Sequence, residues 1–143
     1  MYKSIKTQTV KGFSLIEVMV ATAILAVGMV AVISIFPLAL RANKSAEQAS
    51  LASVYARAKM EEVLVSPYDE ILTGTLETRA KVSTDPNDVA YILEREAIVS
   101  YIDTDLNESQ SDTGLKKITV TVYWSSRFGA EKSFILNSII SRK

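Results

Sequence analysis

The chain reads as an α+β protein: one long N-terminal helix, membrane-spanning in its first half, packed on a small antiparallel β-sheet head. Three features predict this. No residue from Val18 to Leu40 is charged. Arg41 to Ser66 has no Gly or Pro and is rich in Ala, Lys, Glu, Met and Leu. Beyond that, apolar and polar residues alternate with the period of a strand.

The apolar segment comes first. At about 1.5 Å per residue, Val18 to Leu40 makes a helix of roughly 35 Å, enough to cross a hydrocarbon core of about 30 Å. Just ahead of it stands one charge, Glu17. A carboxylate so near the start of a lipid-embedded helix is expensive and calls for a function and a partner. The competing reading is that Glu17 snorkels to the headgroups. A basic leader precedes it, with Lys3, Lys6 and Lys11, and ends at Gly12. An ordinary secretory signal has a shorter apolar core followed by a small-residue cleavage site. Here Arg-Ala-Asn-Lys follows Leu40, and the glycine lies before the apolar run instead.

A short basic leader, Gly12, Phe13, then Glu17 as the fifth residue counted from Phe13 resembles the signal of type IV pilins and type II secretion pseudopilins. The resemblance implies cleavage between Gly12 and Phe13 by a prepilin peptidase and N-methylation of the new terminus at Phe13. It also implies pairing of Glu17 with the amino terminus of a neighbouring subunit. An unpaired buried carboxylate is costly, so a partner cation favours assembly and sets the axial register. The implied partners are the peptidase, other pilin or pseudopilin subunits through the N-terminal helix, and an inner-membrane assembly platform. The leader would be cytoplasmic and the head periplasmic, with a later place in a pilus or pseudopilus. The lysines alone do not fix that orientation, since Arg41, Lys44, Arg57 and Lys59 face them from the other end. The implied organisation is leader 1–12, assembly helix 13–40, amphipathic continuation 41–66 and globular β head 67–143. One feature departs from the family: the kinking proline that many pilins carry at the position of Ser34 is absent, and Pro37 stands nearby. A weak point is still expected near Ser34 to Pro37.

Composition narrows the chemistry. The 143 residues make one small unit with no net charge. Removing the leader's three lysines leaves 13 basic against 16 acidic residues, a net −3, which argues against a nucleic-acid surface. There is no cysteine and no histidine, so thiol nucleophiles, thiolate metal sites and the commonest general base and zinc ligand are missing. No spacing points to serine–lysine or paired-carboxylate chemistry. The expectation is a protein without cofactor that is not an enzyme.

In Arg41 to Ser66, Ala52, Tyr55, Ala56, Lys59 and Val63 recur at three and four. Leu51, Val54, Ala58 and, less cleanly, Met60 and Leu64 do so too, with Glu47, Gln48, Arg57 and Glu61 mostly outside. Pro67 ends the helix. Tyr68 to Pro86 is turn-rich. A strand is expected from Val89, broken near Arg95 and resumed toward Ile102, then a polar loop over Asn107 to Gly114. Leu115 to Ser126 is the strongest strand, with Ile118, Val120, Val122 and Trp124 on one face. A turn at Arg127-Phe128-Gly129 leads to a closing strand over Lys132 to Ile140, with Phe134, Leu136 and Ile139 inward. Three or four antiparallel strands after a long helix is the layout the resemblance implies. A head of 77 residues from Pro67 onward needs the helix face for its core.

Two motifs in the head bear on ligands. Asp103, Asp105 and Asn107 occupy the first three ligand positions of a calcium loop, but Glu108 and Gly114 stand where an EF-hand needs Gly and Glu. A solvated acidic loop is the preferred reading. Asp105 to Ser109 also fits an acidic N-glycosylation sequon. The tail, LKKITVTVYWSSRFGAEKSFILNSIISRK, resembles the C-terminal hairpin of PilV-type minor pilins and of the type II secretion minor pseudopilin I. The resemblance therefore implies a minor pilin that initiates or modifies type IV pilus assembly. A minor pseudopilin is the alternative, and a membrane-anchored binding module at a pilus tip is a third reading.

Overall fold

A computed structural model describes residues 12–125 and 129–142. The leader lysines and most of the Arg127-Phe128-Gly129 turn lie outside the described residues. The chain divides into two compact units, Met1–Ala42 and Asn43–Lys143.

One helix, α1, runs Leu15–Leu64. In the first unit it is exposed throughout and is long and apolar enough to cross a membrane. Pro37 lies inside it without ending it. A proline there takes the hydrogen-bond donor from the carbonyl of Ile33, yet the helix continues. The two hydroxyls of this stretch bond back to the preceding turn: Thr22 Oγ1 donates to the carbonyls of Val18 (2.9 Å) and Met19 (3.0 Å), and Ser34 Oγ to those of Val30 (2.6 Å) and Ala31 (3.1 Å). Satisfied in this way, neither hydroxyl needs water.

In the second unit the helix has an inward line of Ala52, Ala56, Met60 and Val63. Met60 belongs to that line, whereas Val54 and Leu64 of the second expected run are exposed. α1 stops at Leu64, and Pro67 then opens a 3₁₀ turn over Tyr68–Glu70.

Five strands follow among the described residues: β1 (Gly74–Lys81), β2 (Leu93–Ile102), β3 (Glu108–Ser109), β4 (Leu115–Ser125) and β5 (Glu131–Ser141). They form one antiparallel sheet in the order β1-β2-β4-β5, with β3 paired to β2. β1 pairs with β2 and β4 with β5 as sequential neighbours, while the short β3 lies on the far side of β2 from β4, so the chain passes across the end of β2 between them. One face meets the helix. Leu93, Ala97 and Val99 of β2 and Ile118, Val120, Val122 and Trp124 of β4 form the core with the helix line, and Phe134, Leu136 and Ile140 of β5 pack at its border. The two alanines on the helix are fully buried. Their small side chains let the backbone sit close to the sheet, while the larger groups come from the strands.

Four expectations need correction. Val89–Ile92 is a 3₁₀ turn, not a strand, because the Asp88 carboxylate accepts the Ala90 amide at 2.9 Å and caps it. β2 runs unbroken through Arg95, whose guanidinium reaches the Glu77 carboxylate (3.1 Å) and the Tyr55 carbonyl (3.4 Å) and so satisfies its charge at the core's border. Ile140 rather than Ile139 faces the helix, since strict alternation from Phe134 and Leu136 selects the even positions. β1 falls in the stretch read as turns. Its side chains are nearly all exposed, so it carries no inward apolar row to announce it.

Candidate processing and assembly site

Gly12, Phe13 and Ser14 precede the helix and are exposed. Ser14 caps it: its carbonyl accepts the amides of Glu17 (3.1 Å) and Val18 (3.2 Å), and its hydroxyl accepts the Glu17 amide at 3.3 Å. Ser14-Leu-Ile-Glu17 has the S-x-x-E spacing of a capping box. That signal was available in the sequence and singles out a residue that charge and hydropathy had passed over. Glu17 thus sits in the first turn, where the partial positive charge of the free amides favours a carboxylate. Phe13, Glu17, Val18, Ala21, Thr22 and Leu25 line one shallow apolar surface. Among the described residues no cation lies within ion-pair distance of Glu17. The arrangement is a capped, exposed helix start whose carboxylate can accept a cation from outside.

In the head, the Asp103 carboxylate is turned onto its own loop. Its Oδ1 accepts the amides of Asp105 (2.9 Å) and Asn107 (2.8 Å), while its own amide donates to the Asn107 carbonyl at 2.9 Å. Leu106 takes a left-handed φ of 66° to close the turn. The D-x-D-x-N spacing therefore builds an Asx-type turn, with Asp105 and Asn107 exposed. Among the described residues no three His, Cys, Asp or Glu side chains gather as a metal cluster. Tyr123 and Trp124 part company across the sheet. Trp124 is in the core, and Tyr123 lies outside beneath Arg79, 4.1 Å from its ring centre, with its hydroxyl on Glu96 at 3.1 Å. Arg79 also bonds Glu94 (2.6 Å) and Glu131, tying β1 to β5 over the outer face.

Two polar sites escaped the sequence reading. Lys116 is buried on the inward row of β4. Its ammonium donates to the carbonyls of Tyr68 and Ile71 (2.7 Å each) and lies 4.0 Å from the Tyr68 ring centre. Extending the Ile118 to Trp124 alternation by one step would have found it. The second is Asp112, which accepts the Tyr68 hydroxyl (2.6 Å) and the Gly114 amide (2.8 Å) and pairs with Arg142. These bonds hold the Asp112 carboxyl below its ordinary range, the Tyr68 hydroxyl foremost. Burial, then the bond to Asp112, pushes the Tyr68 phenol up to about 12. No local pattern brings positions 68, 112 and 142 together.

The N-terminal segment matches a family model, the prokaryotic N-terminal methylation motif, over residues 8–33. This is the type IV pilin and pseudopilin signal. No curated protein and no solved structure matches the chain. The motif supports a pilin or pseudopilin role, that of a structural subunit processed by prepilin peptidase and assembled with other pilins. One apolar N-terminal helix is consistent with membrane anchoring. A long helix packed on an antiparallel sheet is pilin-like architecture.

Proposed function

We propose that the protein is a minor type IV pilin, PilV-like, that initiates or modifies pilus assembly after prepilin peptidase cuts between Gly12 and Phe13. In this reading the new amino terminus at Phe13 is N-methylated. Residues 13–40 form the assembly helix, 41–66 its amphipathic continuation and 67–143 the periplasmic head above the inner membrane. The observation that carries it is Glu17: a carboxylate in the first turn of an otherwise apolar, exposed helix, four residues after Phe13 and without an internal cation among the described residues. The neighbour's amino terminus supplies the missing charge. A minor pseudopilin of type II secretion is the second reading, favoured by the same signal and by a C-terminal hairpin of the same kind.

N-terminal sequencing or intact mass of membrane-extracted protein tests the cut; a mature chain starting at Met1, or beyond Leu40, would refute it. Gly12→Val should block processing. Glu17→Ala should leave insertion and cleavage intact, since removing a charge eases burial in lipid, while depleting the subunit from sheared pili. Wild-type recovery of that variant would sink the pairing role.

A further inference from the structure

The two edges of the sheet are built differently. β1 pairs with β2 through two register shifts, at Thr75/Glu77 and Glu77/Ala80, and carries Glu77, Arg79 and Lys81. β5 pairs with β4 without a break from Leu115↔Ser141 to Ser125↔Glu131. No described strand lies on its other side. Natural sheets guard an open edge with charges, bulges or a covering segment. From Ser133 to Ser141, β5 has no charge and no bulge. Ile135 and Ile139 remain 57% and 48% exposed.

This stretch is nearly symmetric about Asn137. Laid antiparallel against a copy of itself with Asn137 opposite Asn137, Ile135 meets Ile139, Phe134 meets Ile140 and Ser133 meets Ser141, each twice. Only Leu136 against Ser138 is mixed. Centring on Leu136 instead sets Ile135 against Asn137, Phe134 against Ser138 and Lys132 against Ile140. A one-residue slip would place the helix-facing row of one copy on the outer face of the other. Matched cross-strand pairs are what stabilise such a ladder.

We propose that β5 pairs with β5 of a second copy of this chain, in the register centred on Asn137, to form one continuous sheet. A two-fold contact of this kind is self-complementary and closed, so it makes a dimer and not a chain. It reverses the head helices as well as the strands. Beyond the ends of the ladder Lys132 comes opposite Arg142. Each is already engaged, Lys132 with Ser45 at 2.8 Å and Arg142 with Asp69 and Asp112.

The chain has no cysteine, so single-cysteine variants of the full chain in detergent report the contact cleanly. Asn137→Cys lies on the two-fold and should oxidise to a disulfide dimer roughly tenfold or more faster than Thr78→Cys on β1, because directly opposed Cβ atoms approach to about 4.5–5.5 Å. Leu136→Cys should lag behind it. Adding Ile135→Lys or Ile139→Lys, both at exposed positions, should cut the cross-linking by roughly tenfold or more while the circular dichroism stays unchanged. Cross-linking of Asn137→Cys no faster than Thr78→Cys overturns the proposal. Faster reaction at Leu136→Cys, or cross-linking undisturbed by both lysine variants, overturns the register.

Discussion

The two halves of α1 contrast side chain by side chain. In the first unit the helix holds large apolar groups, among them Ile24, Leu25, Val30, Ile33 and Phe36, each between 66% and 70% exposed. In the second unit its inward line begins with two alanines that are fully buried. The large apolar groups of the first unit are exposed, while the second unit buries two alanines beside Met60 and Val63. A helix that packs on a sheet needs small groups where the backbones approach, and the strands supply the bulk. A helix that faces lipid or other helices needs apolar surface all round and buries none of it alone. High apolarity in this chain therefore reports the surroundings of the first unit, not the location of its core.

The contrast can be broken most severely at the sheet. Val120→Asp buries an unpaired charge against the helix, costing several kcal/mol, comparable with the whole stability of a small domain. Loss of β structure by circular dichroism of the full chain in detergent should follow, and a folded variant would show that the Val120 face is not the core. Lys116→Met comes next. Removing the ammonium orphans the buried carbonyls of Tyr68 and Ile71, at about 1–3 kcal/mol each. The unfolding free energy from denaturant titration should fall by that much, with faster hydrogen exchange over residues 68–71.

A paired substitution then sharpens the comparison. Ala56→Leu should overpack the helix–sheet contact and cost about 1–3 kcal/mol. Ala31→Leu, in the exposed half, should leave the melting of the head where it is. Equal effects would erase the distinction between the halves.

The smallest effect is a pH response. With the Asp112 carboxyl held low, its contribution is present above the ordinary carboxylate pKa and fades as pH falls through the depressed value. With the Tyr68 phenol raised to about 12, its contribution is intact below the ordinary tyrosine pKa and fades as pH rises through about 12. Stability measured against pH should drop at both extremes, and Asp112→Asn should flatten the acid limb.

Much of this was legible in local pattern. The unbroken helix, the inward row Ile118, Val120, Val122 and Trp124 and the closing strand all follow from periodicity, which local sterics enforce. The edge strand β1 was not legible, because its exposed side chains leave no apolar row to detect. Val89–Ile92 misled for a related reason: its alternation is that of a strand, but a capping bond from Asp88 closes a tighter turn. At the N-terminus, the methylation motif of residues 8–33 was readable because such a signal is linear, and the Ser14 cap was readable in principle from its spacing to Glu17.

By itself the sequence determined the parts whose physics is local: a helix too apolar to be left in water, a carboxylate at its start, and strands that alternate with period two. Only the tertiary structure decided which residues meet across distance. The Lys116 ammonium beneath the 68–71 turn, Asp112 between Tyr68 and Arg142, and Arg79 reaching Glu131 over the outer face join positions 30 or more residues apart. Such contacts exist because antiparallel pairing folds distant stretches side by side, and no short window of sequence records that geometry.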